Sequence, residues 1–381
     1  MLYLMRIIRE RTRPVPKKTT AWLTAETEGN KATVRLGDHK FTIRSGYDGR
    51  LSHDNYDFAL FGAICLGLSR NIDIKTDLLI SSQTLAAVRK FNDLMMIWNP
   101  RKIYPISIFA NNIYDAPGTD PNSNGLLCLS GGVDSTFSAI TARPDIRLTH
   151  GMLVAGLDYS DTQNAGFQSL SERLDKFSQK TGYEFFTTET TLRHMGIHWE
   201  MLNLPLLAMC LSFHSSVFGR GIVSSDYTAG TELACHPFHN SGPAANALST
   251  SNFPILHLGQ ETVRSAKVIA IANDPRDLLA SISVCNKADG GRKNCGICEK
   301  CIRTKLNLMC GGFERPDLFA QNPDLATLVD RLKFPKSMAN RRRLLCWVCD
   351  NENNLPEGDV KDALTRCRIR LRASLVPLGR I

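Results

Sequence analysis

No apolar run in the 381-residue sequence approaches the ~20 residues that a membrane-spanning helix needs, so a helical membrane protein is excluded as a reading. A secretory h-region is also missing. The N-terminal stretch MLYLMRIIRERTRPVPKK is basic, and Arg6 and Arg9 interrupt its apolar part, so the expected location is cytoplasmic. Its arginines leave a mitochondrial presequence open as the alternative. There is no internal repeat and no low-complexity tract, which excludes solenoid and disordered-tail architectures.

What is present is a chain long enough for two or three domains, with a formal net charge of +9 and a pI near 9.0. That balance suits anionic partners, among them nucleotides, nucleic acid and acidic proteins. Twelve cysteines are unevenly spread. Cys65, Cys128, Cys210, Cys235, Cys310 and Cys367 are scattered through apolar or mixed contexts, whereas Cys285, Cys295, Cys298 and Cys301 cluster. In a cytosolic chain such clustering points to metal rather than to disulfides.

Alternating residues over 20–45, ending at Gly- and Asn-type turns, predict a β-meander. Helices are expected over 55–69 and 82–98, the second with a serine cap, and a strand over 104–109. Residues 111–125, rich in Pro, Asn, Asp and Gly, read as a linker. Beyond it strands and helices alternate, beginning with the continuously apolar strand LLCLS, the pattern of a doubly wound parallel sheet. The reading is therefore an α/β fold in four parts: a small α+β domain over 1–120, a nucleotide-binding sheet domain over 121–284, a metal-binding segment over 285–313 and a helical C-terminal extension over 314–381.

The stretch LLCLSGGVDSTFSAI places a Gly-Gly turn between a buried strand and a helix. In open parallel sheets ligands sit beyond the carboxyl ends of the strands. Glycines there let backbone N–H groups face an anion, and the N-terminus of the following helix adds its positive dipole end. Ser130 and Ser135 offer hydroxyls, and Asp134 can hold Mg²⁺ or cap the helix. The turn lacks the G-K-[ST] of a Walker A loop. The alternative is a glycine-rich turn useful only for folding.

The cysteine cluster reads C-x9-C-x2-C-x2-C. Two overlapping C-x2-C turns can put three thiolates on one side of a knuckle, and a fourth from upstream completes the tetrahedron of structural zinc. Lys293, Lys300, Arg303 and Lys305 would offset the charge of the thiolates. An iron–sulfur cluster and free thiols are the rivals. Cys346 and Cys349, in CWVC, are either redox-active or metal-binding, or simply packed. His236 and His239 are either ligands of a second metal with Cys235, or part of a substrate loop.

SGGVDS resembles the pyrophosphate-binding motif of the PP-loop ATPases, which adenylate a substrate oxygen and release pyrophosphate. The resemblance carries the phosphate role onto Ser130, Gly131, Gly132, Asp134 and Ser135, with Val133 between them. It places the adenine near Leu157, Asp158 and Tyr159 in GLDYSD. Together with the cysteine spacing and the Arg303 that follows it, residues 125 to about 313 are similar to the 7-cyano-7-deazaguanine synthases. That resemblance implies a basic residue at Arg264, before the last core helix, with a catalytic role beside Asp134 and Ser135. It also implies zinc on Cys285, Cys295, Cys298 and Cys301.

The chain departs from that family in its N-terminal domain, its C-terminal extension and its substrate segment. In place of a Gly-Tyr-Pro-Asp-Cys-Arg-like stretch stands AGTELACHPFHNSGPAANALSTSNF, residues 229–253, read as a long loop over the pocket. Glu232, His236, His239 and Asn240 are its candidate substrate contacts. The expected reaction uses ATP and Mg²⁺ to adenylate a carboxylate, such as 7-carboxy-7-deazaguanine. Attack by ammonia, or by an amine of a partner protein, then gives an amide, a nitrile or a conjugate. Relatives in bacterial defence and biosynthetic operons fit a chain with extra domains. The alternatives are a tRNA-modifying PP-loop enzyme that uses its basic ends to hold nucleic acid, and a degenerate nucleotide-binding interaction module.

Overall fold

A computed structural model describes residues 16–99, 103–235, 240–285 and 294–375. The chain is mixed α/β, with ten strands in a large, mostly parallel sheet and twelve α-helices among the described residues. Two compact units share it. One takes residues 1–124, 188–221 and 243–256, and the other takes 125–187, 222–242 and 257–381.

In the first unit the meander expected over 20–45 forms as β1 (Thr19–Glu28), β2 (Lys31–Leu36) and β3 (His39–Ser45), all antiparallel. Leu23, Val34, Leu36, Phe41 and Ile43 point inward, as the alternation requires. Helix α1 (Asp57–Arg70) is buried along nearly its whole length, and α2 (Ser82–Trp98) is capped by Ser81, whose hydroxyl accepts the Thr84 N–H. Two expectations need correcting. Residues 72–81, given no element by the sequence reading, form β4 (Ile72–Ser81), parallel to β1. A register shift between Thr76 and Leu79 breaks its alternation, which hides it. The strand expected over 104–109 is β5 (Ile108–Tyr114), which takes the first residues of the supposed linker.

In the same unit Asp57 is buried. Its carboxylate accepts the Ser81 N–H at 2.8 Å, the Ser81 hydroxyl at 2.6 Å and the Thr84 hydroxyl at 2.9 Å, which ties the start of α1 to the start of α2. His214 is fully buried, with Nδ1 2.8 Å from the Cys210 carbonyl and Nε2 2.8 Å from the Ser45 hydroxyl. The carbonyl can only accept, so Nδ1 carries the proton and Nε2 accepts from Ser45.

The second unit holds β6 (Gly125–Cys128) and β7 (Leu148–Ala155), parallel to each other. It also holds most of β8 (Glu184–Thr190) and β9 (Arg220–Ser224) and the end of β10 (Ile255–Leu258). The hydrogen-bonded order is β10-β9-β6-β7-β8. Strand order therefore reverses between β6 and β9, the place where doubly wound sheets open a crevice for ligands. The amphipathic helix α4 (Ala165–Thr181) ends at Gly182 in the left-handed conformation, as expected. In the first unit, α5 (Trp199–Ser212) is apolar on all sides. The expected long loop over 229–253 contains two short helices, α6 (Ala229–Cys235) and α7 (Gly242–Leu248). Helices α8 (Arg264–Ala272), α9 (Glu299–Cys310), α10 (Leu325–Asp330), α11 (Met338–Glu352) and α12 (Asp359–Ala373) complete the chain. The last three share a core of Val329, Leu344, Trp347, Val348, Leu364 and Leu371 with Ile302 and Leu306 of α9. No helix among the described residues is long and apolar enough to cross a membrane.

Burial lowers the pKa of His214 from 6.5 to about 4. The unfolded chain therefore takes up a proton near pH 6.5 that the folded chain refuses until about pH 4, and stability falls as pH drops through that window. Urea unfolding should show a lower midpoint at pH 5 than at pH 7.5, and His214→Gln should flatten that difference.

Candidate functional site: a glycine turn beside a cysteine knuckle

The site lies within the second unit, at the carboxyl end of β6. Leu126 and Leu127 are buried as the apolar strand pattern requires, and the chain leaves the strand into the turn Ser130–Gly131–Gly132. Gly131 sits at φ 66°, and a Cβ there would lie 2.6 Å from the Leu170 Cδ1, so glycine is required by backbone and by packing. Gly132 caps α3 (Val133–Thr141), and Val133 buries its side chain in the first turn. The Ser130 and Ser135 hydroxyls are 3.1 Å apart across the turn, and the Ser135 hydroxyl donates to the Gly132 carbonyl at 3.3 Å. Ser130 is exposed and Ser135 buried, and the Ser130 hydroxyl accepts the Gly132 N–H at 3.4 Å, so both hydroxyls brace the turn.

Asp134 lies between two cations. Arg264 Nη1 donates to its Oδ2 at 2.5 Å, and Lys267 Nζ lies 3.2 Å from its Oδ1. Burial works against the Arg264 guanidinium, but Asp134, Asp226 and Tyr227 together hold its pKa above the ordinary value. Lys267 is 1% exposed and also donates to the Ser225 carbonyl at 2.6 Å, which links the end of β9 to the start of α3. Two cations thus face Asp134 beside a helix N-terminus, with Asp226 as a second carboxyl group in the same cluster. The sequence reading named Arg264 and missed Lys267. The available signal was a lone lysine inside the apolar run SAKVIAIA.

Leu157 and the exposed Asp158 follow β7, directly beside the turn that follows β6. The Gly156 N–H donates to the Tyr159 carbonyl at 2.9 Å, and the Tyr159 ring meets Phe167 edge-on with centroids 6.2 Å apart. The two turns therefore border one edge of the sheet.

Beyond β9 comes Asp226. Burial first, and then the neighbouring Asp134, raise its pKa, while a hydrogen bond from Asn240, Arg264 and Lys267 oppose the rise. Glu232, on α6, is buried. Burial and the charge of Asp226 push its pKa up to about 7, and its Oε1 meets no donor within the protein. Asn240 donates to the Ser224 carbonyl at 2.9 Å, while its buried Oδ1 has no donor. Of the candidate substrate residues, Glu232 is thus placed beside the charged cluster, and Asn240 joins it. His236 and His239 lie outside the described residues. Cys235 and Cys346 bring their sulfurs to 3.6 Å where α6 meets α11.

The four clustered cysteines converge, with all four sulfurs within 4.8 Å of one another. Cys298 caps α9, Cys301 lies in its first turn, and the Cys298 N–H donates to the Cys295 sulfur at 3.4 Å. The Cys298 thiol is held below its ordinary pKa, first by the hydrogen bond from Cys301, which favours the thiolate a metal needs. Such a group of sulfurs can hold a metal such as zinc. Asn294, unnoticed in the sequence, clasps the two arms of the knuckle. Its Oδ1 accepts the Val284 N–H at 2.9 Å, and its Nδ2 donates to the Ile282 carbonyl at 3.2 Å. The knuckle also reaches the glycine turn, because the Ser283 N–H, two residues before Cys285, donates to the Gly131 carbonyl at 2.8 Å.

The chain matches no family model, no curated protein and no solved structure.

Metal analysis of the purified protein should return about one zinc per chain. Removing it with a chelator should lower the melting temperature and expose the Gly131 amide region to hydrogen exchange, since the segment anchored by the knuckle holds that turn. Iron with visible absorption, or a metal-free protein of unchanged stability, would contradict this.

Proposed function

We propose that the protein is an ATP-dependent ligase of the PP-loop type that adenylates a carboxylate, with AMP and pyrophosphate as products. The observation that carries this reading is the SGGVDS turn at the strand-order reversal, with Arg264 and Lys267 directed at Asp134. A carboxylate is a poor acyl donor because its leaving group is poor. Attack of a carboxylate oxygen on the α-phosphorus of ATP breaks the bond to pyrophosphate and converts that leaving group to AMP.

The protein's contribution is to stabilise the charge that develops on the departing pyrophosphate. In this reading the backbone N–H groups of the turn, the exposed Ser130 and the Arg264 and Lys267 cations would supply that stabilisation, with Ser135 bracing the turn. Asp134 is the group that would hold Mg²⁺, which when bound neutralises phosphate charge. Leu157 to Tyr159 would border the adenine. An amine then attacks the acyl carbon, the C–O bond to AMP breaks, and the amine proton leaves to a base. Glu232 and Asn240, each with a buried acceptor oxygen lacking a donor, fit N–H groups of the substrate. 7-Carboxy-7-deazaguanine is the first substrate to try, and a zinc knuckle in this setting is structural.

With 7-carboxy-7-deazaguanine, ammonia and ATP, the protein should release AMP and pyrophosphate in step. Asp134→Ala and Lys267→Met should each lower that rate by about 100-fold or more in protein still folded at the assay temperature, and each should also lower the melting temperature, because a buried charge is left unpaired. Release of ADP and phosphate would show a different chemistry.

A further inference from the structure

The sheet of the first unit has a face that the adenylation reading does not use. Its strands lie in the order β3-β2-β1-β4-β5. Helices α1 and α2 cover the side on which Leu23, Val34 and Ile74 are buried. Alternation turns every second residue to the other side. There Trp22 of β1 is 50% exposed and Phe109 of β5 is 52% exposed. Both stand in register with Lys75 of β4, Trp22 on one flank and Phe109 on the other. An exposed lysine thus sits between two exposed aromatic rings, on strands about 10 Å apart.

The charges of this face are not balanced where the rings stand. Arg35 of β2 lies directly opposite Lys40 of β3, and both are exposed. Like charges opposed across a strand pair are destabilising unless an anion answers them. The carboxylates of the face are placed elsewhere or engaged. Glu28 opposes Lys31, Glu26 opposes Thr33, and Glu189 of β8 opposes Arg44. Asp73 pairs with Lys18 at 3.1 Å, and Asp77 accepts from the Asn111 side chain at 2.7 Å. Among the described residues Arg35, Lys40 and Lys75 take part in no ion pair. Thr24, two residues from Trp22, opposes Arg35, so the two rings and the three cations form one continuous patch. Two copies of this face meeting about a two-fold axis would set the same cations against one another. An acidic peptide would match the cations and leave the rings without a purpose. A single nucleic-acid strand matches both, because its bases stack on exposed rings while its phosphates answer the cations. In a duplex the bases are stacked on one another and cannot reach the rings.

We propose that this sheet face binds single-stranded nucleic acid, with one base on Trp22, one on Phe109, and backbone phosphates over Lys75, Arg35 and Lys40. The proposal goes beyond the adenylation reading and does not depend on it. The test is fluorescence anisotropy of the full chain with a labelled oligouridylate of about 12 nucleotides. Wild type should bind it, more weakly as salt rises. Arg35→Gln and Lys40→Gln should each make the slope of log affinity against log salt shallower by about 0.7, the value for one phosphate of a single strand. Neither should lower the melting temperature of the free protein, since each removes a like-charge opposition. Trp22→Ala should weaken binding about tenfold or more with the salt slope unchanged. Trp22→Leu should weaken it as well, because leucine keeps apolar area but loses the flat ring. Should either Trp22 variant fail to fold, the exposed Arg35 and Lys40 variants carry the test. Binding of a duplex of the same length should not depend on Trp22. No binding of the single strand at about 50 mM salt, or Trp22 and Arg35 variants that bind like wild type, would overturn the proposal. So would an equal loss of duplex binding in Trp22→Ala. Dimerisation of the wild type that Trp22→Ala abolishes would also overturn it, because the face would then be a self-association surface.

Discussion

Everything proposed for the second unit depends on one buried electrostatic arrangement, the Asp134 carboxylate held between Arg264 and Lys267. Asp134 sits in the first turn of α3, where a negative charge is favoured by the helix dipole, while Arg264 and Lys267 come from α8, more than a hundred residues later in the chain. Their charges offset one another enough for a lysine that is almost wholly buried to remain in the fold. Removing any one of the three would leave an uncompensated buried charge, which is a larger effect than the loss of a surface ion pair.

Two supports keep that arrangement in register. Lys267 reaches the Ser225 carbonyl, so the strand-order reversal between β6 and β9 is bridged by the same side chain that neutralises Asp134. The Ser283 N–H holds the Gly131 carbonyl, so the cysteine knuckle, clasped by Asn294, braces the turn from the other side. The cysteine knuckle and the turn are thereby joined through a few residues of backbone.

How much of this was legible in the sequence follows from how local each feature is. The phosphate turn is contiguous, and its glycines, hydroxyls and helix start carry their meaning within six residues. The cysteine quartet is legible because metal spacing is a local constraint. Arg264 was reached through resemblance and Asn240 through its place in the long segment after β9, but Lys267 and Asp226 acquire a role only when α8 and β9 are brought together, and no periodicity announces that. The second strand of the first unit's parallel pair, β4, escaped because a register shift interrupts its alternation. The segment 229–253 read as a loop because two seven-residue helices are too short to show a helical period. The interleaving of 188–221 and 243–256 into the first unit is a long-range property that element order alone cannot convey. The expectation of one doubly wound parallel sheet holds for the order of the second unit's strands, but the antiparallel pairs β1–β2, β2–β3 and β3–β8 make the whole sheet mixed.

The central claim is that a carboxylate oxygen attacks the α-phosphorus at this turn, and the fate of that oxygen tests it most directly. A carboxylate substrate labelled with heavy oxygen, turned over with ATP and an amine, should transfer one labelled atom to AMP for each molecule of amide formed, readable by mass spectrometry. Unlabelled AMP, or label recovered in inorganic phosphate, would contradict adenylation and with it the role assigned to Asp134, Arg264 and Lys267.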